Sequence, residues 1–257
     1  GKGLTQSFLY SNACFYMNYF HIDGFRVDAV SNLLYYLGDT NKGENVGARD
    51  FLRGLSEIIF KKDDRILLMA EDSSSYPGVT KPVDLGGVGF NYKWNMGWMN
   101  DTLTYFKLDP IYRKFSHHKI TFSMMYYYNE QFVLPFSHDE VVHMKGSLLN
   151  KMPGDYWQKF ANLRTAYGFM YGHPGKKLMF MGNEFAQDKE WTEAESLRWH
   201  LLEYPMYKGM QNCLRDLNLM YKGNAPLHQI DFELVGVEKS LRNFVVRKNN
   251  KDKNKKS

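Results

Sequence analysis

The sequence predicts an α/β fold, a mostly parallel sheet with helices covering it. Short apolar runs alternate with amphipathic segments at least five times, and four of the runs are closed by acids. No stretch approaches the roughly 18 uninterrupted apolar residues of a membrane span.

Residues 4–19 set Phe8, Leu9, Phe15, Tyr16 and Tyr19 near a 3.6-residue period, which predicts a helix. IDGFRVDAV is short, β-branched and apolar, a buried strand with Asp28 near its carboxyl end. NLLYYLG predicts a short helix, DTNKGENVGARD a loop, and FLRGLSEIIFKK an amphipathic helix. RILLMAED repeats the theme, closed by Glu71 and Asp72. The Gly- and Pro-rich residues 73–98 predict an extended loop around a short strand at 89–94, long enough to suit a functional loop. DTLTYFKLD and KITFSMMYYY predict short helices. FVLPFSHDE reads as a strand ending in polar chemistry, although Pro135 is awkward in a central strand. DYWQKFANLRTAYGFMYG predicts a helix, KKLMFMGNE a strand with Glu184 at its end, and the residues from SLRWHLL to NLMYKGN further helix.

With 44% apolar and 16% aromatic residues among 257, the chain falls in the ordinary globular class. Its net charge of +5 belongs to the last eleven residues: 247–257 hold six basic residues and one acid, leaving 27 of each sign elsewhere. Such an end reads as a solvated, disordered tail, with polyanion binding or targeting as the sharper alternative. The body offers no basic groove for nucleic acid. Cys14 and Cys213 are far apart and outside any CxxC pair, so two buried free thiols in a reducing compartment are expected. The first residues carry no leader pattern, and a soluble, cytoplasmic protein without membrane association is expected.

Right-handed crossovers between parallel strands put their carboxyl ends on one rim, where Asp28, Glu71, Asp139 and Glu184 fall. Five strands do not close an eight-stranded barrel. Residue order alone leaves open a doubly wound sheet or the later part of a barrel.

In FRVDA, Arg26 and Asp28 are two apart on a strand and point the same way, so the guanidinium can hold the carboxylate by directed hydrogen bonds. Of the neighbours Glu71 and Asp72, only one can face the site; Glu71 is chosen, as a proton donor, with Asp72 tied up in the loop. His138 and Asp139 of SHDE form a third cluster suited to gripping sugar hydroxyls. Metal binding by His138, Asp139, Glu140 and His143 is the rival reading, but the two histidines are five apart, unlike the zinc HExxH helix. No GxGxxG, Walker A or GxSxG pattern is present, so no cofactor is expected. Three acids without a nucleotide motif fit glycosidic-bond chemistry. Tyr76, Tyr92, Trp94, Trp98 and Trp191 lie in or beside rim loops; each alone reads sooner as packing than as a surface for a sugar face, and as a set they support a long polymeric ligand, whereas MMYYY and the Phe and Met residues near Phe169 read as core.

The segments GFRVDAV, AEDSSSYPGVTKPV, GFNYKWNMGWMNDTL, FVLPFSHDEVVH, KGSLLNKMPGDYWQKFANLR and GKKLMFMGNEFAQ resemble consecutive stretches of the glycogen (starch) branching enzymes, in glycoside hydrolase family 13 of the α-amylase superfamily. The resemblance runs from about residue 4 to 232. It implies a partial (β/α)8 TIM barrel, the fourth to eighth strands with their helices and without the first strands. Its segments would be the later part of the catalytic barrel at 1–226, the start of a truncated C-terminal β-domain at 227–246, and the basic tail at 247–257. By the same resemblance Asp28 is the nucleophile, Glu71 the general acid/base and Asp139 the transition-state stabiliser. Arg26, His138, Trp94 and Trp98 bind substrate. The partner is an α-glucan polymer (glycogen, amylose or starch), and neither cofactor nor metal is needed. The implied reaction cuts an α-1,4 linkage and rebuilds it as an α-1,6 branch. The sequence departs from the family in three ways: no counterpart of the early strands, Met144 where a glycine is usual, and an end just where a β-domain begins. An isolated chain of this kind is expected to be inactive, and Met144 to crowd its loop. An α-amylase-like hydrolase and a non-catalytic glucan-binding remnant are the alternatives.

Overall fold

A computed structural model describes residues 2–228. The expected β-domain segment, apart from its first two residues, and the basic tail lie outside the described residues. In chain order the elements are α1 (Lys2–Phe20), β1 (Gly24–Val27), α2 (Val30–Leu34), α3 (Val46–Lys62), β2 (Leu67–Ala70), β3 (Tyr92–Trp94), α4 (Met96–Lys107), α5 (His118–Thr121), β4 (Phe132–Phe136), α6 (Leu148–Lys151), α7 (Tyr156–Gly172), β5 (Lys176–Met179), α8 (Pro205–Gly223) and α9 (Ala225–His228). The strands form one all-parallel sheet in the order β1-β2-β3-β4-β5. Sequential order without reversal, with helical crossovers between β1 and β2, β3 and β4, and β4 and β5, a loop crossover between β2 and β3, and a curled sheet, is part of a (β/α)8 barrel and not a doubly wound sheet.

Every strand expected from the sequence is present, and the helices differ mainly in where they start. In α3 the Asn45 side chain accepts the Ala48 amide at 3.2 Å, so the helix begins at Val46 inside the expected loop. Leu52, Leu55, Ser56 and Ile59 then line its buried face at helical spacing. Asn95 caps α4 in the same way, accepting the Trp98 amide at 2.9 Å, which carries that helix back to Met96. The long loop between β2 and β3 is pinned by Glu130, which accepts the amides of Val79 (2.9 Å) and Thr80 (2.7 Å). Within it, a Cβ at Gly87 would sit 1.9 Å from the Lys81 carbonyl oxygen, so only glycine fits.

Pro135 stands inside β4, whose five residues are all buried. Asn95 N donates to Val133 O at 2.8 Å and Phe180 N to Phe136 O at 2.9 Å, so odd-numbered backbone groups of β4 face β3 and even-numbered ones face β5. The missing Pro135 N–H therefore points past Trp94, where β3 has already ended, and no ladder bond is lost.

Two apolar clusters flank the sheet. One gathers β4, α4, α7 and α8 around Phe136, Phe160, Leu163, Tyr167 and Met210. The other gathers α1, α2, α3 and β2 around Leu34, Leu52, Ile59 and Leu68. In α1 only Ala13 and Met17 are buried; Phe8, Phe15 and Tyr19, the residues that marked it as a helix, are exposed. Two further expectations are corrected. Met125 of MMYYY is 80% exposed, because the short helix and 3-10 turn carrying it (Phe122–Met125) lie on the surface. Cys14 and Cys213 are free, but partly exposed and not buried. Among the described residues, no helix is long and apolar enough to cross a membrane.

Candidate active site

The β1–β2 register pairs Arg26 with Met69 and Val27 with Ala70, so Asp28 and Glu71 follow side by side at the rim. Glu71 is pinned there by its backbone: its amide donates to Val27 O (2.9 Å) and its carbonyl accepts Val30 N (2.8 Å). Ala29 turns the chain with left-handed angles (φ 49°, ψ 44°), which aims its N–H at Glu71 Oε2, 2.6 Å away. A non-glycine residue held in that region is local strain, a feature that clusters at functional sites.

Arg26 connects the two acids. Its Nη2 lies 2.7 Å from Asp28 Oδ1 and 3.8 Å from Glu71 Oε2, so those oxygens are at most 6.5 Å apart, the two legs taken end to end. The Asp28 side chain is 74% exposed and the Glu71 side chain 17%, which leaves Asp28 open to a ligand and Glu71 in the wall beside it. Asp72 turns the other way, as the alternation of strand faces requires. Its carboxylate is buried against Lys93 Nζ (2.8 Å) and accepts the Ser74 amide (2.9 Å), while Lys93 also donates to Ser74 O (2.7 Å). This buried pair anchors the turn directly after Glu71.

His138 and Asp139 stand on a 3-10 turn after β4, with His138 Nε2 3.3 Å from Asp139 Oδ1 and the imidazole beside the Phe180 ring. The turn is built by a capping box: Glu140 accepts from Ser137 N (2.6 Å) and Ser137 Oγ (2.8 Å). Burial pushes the Glu140 carboxyl up, against the hydrogen bonds from Ser137. Lys145 Nζ donates to Asp139 O at 2.7 Å, and Glu190, accepting Gly146 N at 2.9 Å, ties this loop to the one after β5. Backbone amides of residues 144–146 hold the Glu190 carboxyl below its ordinary value. Burial pushes Lys151, which donates to the Gly146 carbonyl, down to about 8.

Arg26, Asp28 and Glu71 thus meet in one cluster, and His138 with Asp139 forms a second on the same rim, two strands along. Among the described residues no hydrogen bond or ion pair joins the two clusters. Glu184 lies in the 3-10 turn Asn183–Phe185 after β5, and among the described residues no hydrogen bond or ion pair joins its side chain to either cluster. Among the described residues no group of three or more His, Cys, Asp and Glu side chains is placed to hold a metal ion.

The tryptophan expectations change. Trp98 is 1% exposed inside the apolar cluster, its ring 5.3 Å from Phe136 and stacked on Phe169, so it packs the core and cannot cover a sugar. Trp94 is also buried, with the Arg26 guanidinium 4.4 Å above its ring centroid. Met144 crowds nothing: it is 97% exposed, and what its position demands is backbone, with φ at 65°. Sequence reasoning missed Lys93 and the cap role of Glu140. Both left signals: a lysine inside a buried strand needs a counter-charge, and S-H-D-E is itself a capping-box pattern.

No family model matches the chain. It is similar to the 1,4-alpha-glucan branching enzyme GlgB of Halothermothrix orenii, 56% identical over 242 residues. That match covers 90% of this chain and 38% of the relative. The enzymes of the same name from Bacillus cereus (strain AH187) and Bacillus anthracis are each 54% identical over 238 residues, 93% of this chain and 37% of theirs. The chain therefore spans less than two-fifths of the length of these relatives. With more than half of its residues identical along nine-tenths of its length, the chain belongs to the 1,4-alpha-glucan branching enzymes of the α-amylase superfamily.

Proposed function

We propose that this chain carries the reacting carboxylates of a retaining transglycosylase, which cuts α-1,4-glucan and re-attaches the freed segment through an α-1,6 linkage in glycogen or starch biosynthesis. The observation that carries the reading is the sharing of one Arg26 nitrogen by Asp28 and Glu71. Their oxygens lie within 6.5 Å, compatible with the about 5 to 5.5 Å of retaining sites and at the lower limit of the about 6.5 to 9.5 Å of inverting ones.

Asp28 attacks the anomeric carbon while Glu71 protonates the departing glycosidic oxygen, giving a glucosyl ester on Asp28. Glu71 then takes the proton from the 6-hydroxyl of an acceptor glucan, whose oxygen displaces Asp28. Water at that second step gives hydrolysis instead. Asp139 stabilises the positive charge of the oxocarbenium-like transition state, and Arg26 and His138 bind substrate hydroxyls. The partner is a glucan polymer, and the setting a cytoplasmic one.

Because the chain matches only part of its relatives, the test grafts all 257 residues into the Halothermothrix orenii enzyme in place of the matching segment. The graft should convert amylose into branched glucan, read as new α-1,6 linkages in excess of new reducing ends. Asp28→Asn and Glu71→Gln should each lower that rate about a thousandfold or more. A graft that only makes reducing ends, or one indifferent to Asp28→Asn, would overturn the reading.

A further inference from the structure

We infer that Trp94 is a positioning residue of this site, seating the Arg26 guanidinium so that one of its nitrogens serves Asp28 and Glu71 together; the inference rests on the reading above. Arg26 leaves β1, and Trp94 ends β3, two strand spacings or about 9.6 Å away. The arginine therefore crosses in front of β2, passing Glu71, and lands with its Cζ 4.4 Å from the indole centroid.

The burial of this indole differs from that of Trp98. Trp98 lies within an apolar cluster and stacks on Phe169, whereas Trp94 belongs to neither apolar cluster. Its Nε1 is buried with no hydrogen-bond partner among the described residues, so the ring is not anchored by its polar edge. The interaction that distinguishes Trp94 is the cation over its face. At 4% exposure the ring has no face free for a sugar. An arginine side chain carries several free rotations and five donors in a planar fork, and a cation–π contact fixes the plane of that fork. Without the ring, nothing else described on β3 would stop the guanidinium from following the exposed Asp28 carboxylate outward and abandoning Glu71.

The test is steady-state branching by the same graft carrying Trp94→Phe or Trp94→Leu, with thermal melting to confirm folding. Trp94→Leu should lower kcat about tenfold to thirtyfold, the rate equivalent of one desolvated cation–π contact, with KM within about twofold. Trp94→Phe, which keeps a weaker π face, should recover part of the loss. If Trp94→Leu does not fold, Trp94→Phe and Trp94→Tyr carry the test and must both lower kcat at constant KM. A raised KM at unchanged kcat would make Trp94 a sugar platform, and unchanged constants would make it plain packing; either overturns the inference. A parent graft without branching activity removes the underlying reading and this inference with it, whereas an active parent indifferent to Trp94 removes the inference alone.

Discussion

The two sides of the sheet are packed very differently. Around β4 the strand is buried at every residue, and α4, α7 and α8 close over it with Phe160, Tyr167 and Met210 fully covered. Among the described residues β1 pairs on one side, with β2, and α1 leaves Leu4, Phe8, Tyr19 and Phe20 largely exposed. Yet Asp28 and Glu71 stand on the thinly packed side, and Asp139 on the dense one. Among the described residues the rim geometry of Asp28 and Glu71 rests on local polar devices: the Ala29 turn, the Arg26 bridge and the Lys93–Asp72 anchor.

The contrast can be broken or sharpened by substitution. Phe160→Ala in the dense half should cost about 3 to 5 kcal/mol in urea unfolding, whereas Phe8→Ala on α1 should stay within about 0.5 kcal/mol. Equal losses would erase the contrast. At the seam, Lys93→Met should cost about 3 kcal/mol or more by leaving the Asp72 carboxylate buried and unpaired. Adding Asp72→Leu should recover much of that, and a double variant as unstable as the single would deny that the unpaired charge is the cause.

A pH effect is expected in the dense half. His173 is buried beside Ser123 Oγ (2.8 Å) and the Trp98 ring, and burial pushes it down to about 4. The unfolded chain, titrating near the usual 6.5, then binds more protons between those values. This contribution is full above about pH 6.5 and is lost as pH falls towards 4, a swing on the order of 3 kcal/mol. His173→Asn should flatten that slope in pH-dependent unfolding; an unchanged slope would refute the assignment. The smallest effect is expected at Met144. Glycine there relieves about 1 to 2 kcal/mol of left-handed strain but frees the unfolded chain by about 0.4 to 1, so Met144→Gly should stabilise by about 0.5 kcal/mol. Destabilisation would mean that the exposed side chain makes a contact of its own.

The sequence announced the strands because four of the five apolar runs are closed by acids, and it announced Arg26 with Asp28 because a spacing of two on a strand admits one geometry. It hid the starts of α3 and α4, since the asparagine caps at 45 and 95 sit in Gly- and Asn-rich text that reads as loop. It misled about Trp98, because composition places a tryptophan beside the rim without telling which face of α4 it occupies; the helix turns it inward. α1 was legible as a helix but not in its burial, for periodicity reports an apolar face and says nothing of what covers it.

The central claim, that Asp28 is the nucleophile beside a proton-donating Glu71, is tested most directly by trapping the covalent intermediate. The graft would be incubated with a fluorinated α-glucosyl fluoride whose second step is slow, digested, and its labelled peptide sequenced by mass spectrometry. The account predicts a single fluoroglucosyl ester on Asp28. A label on Glu71 or Asp139, or turnover that inverts the anomeric configuration without forming an ester, would contradict it.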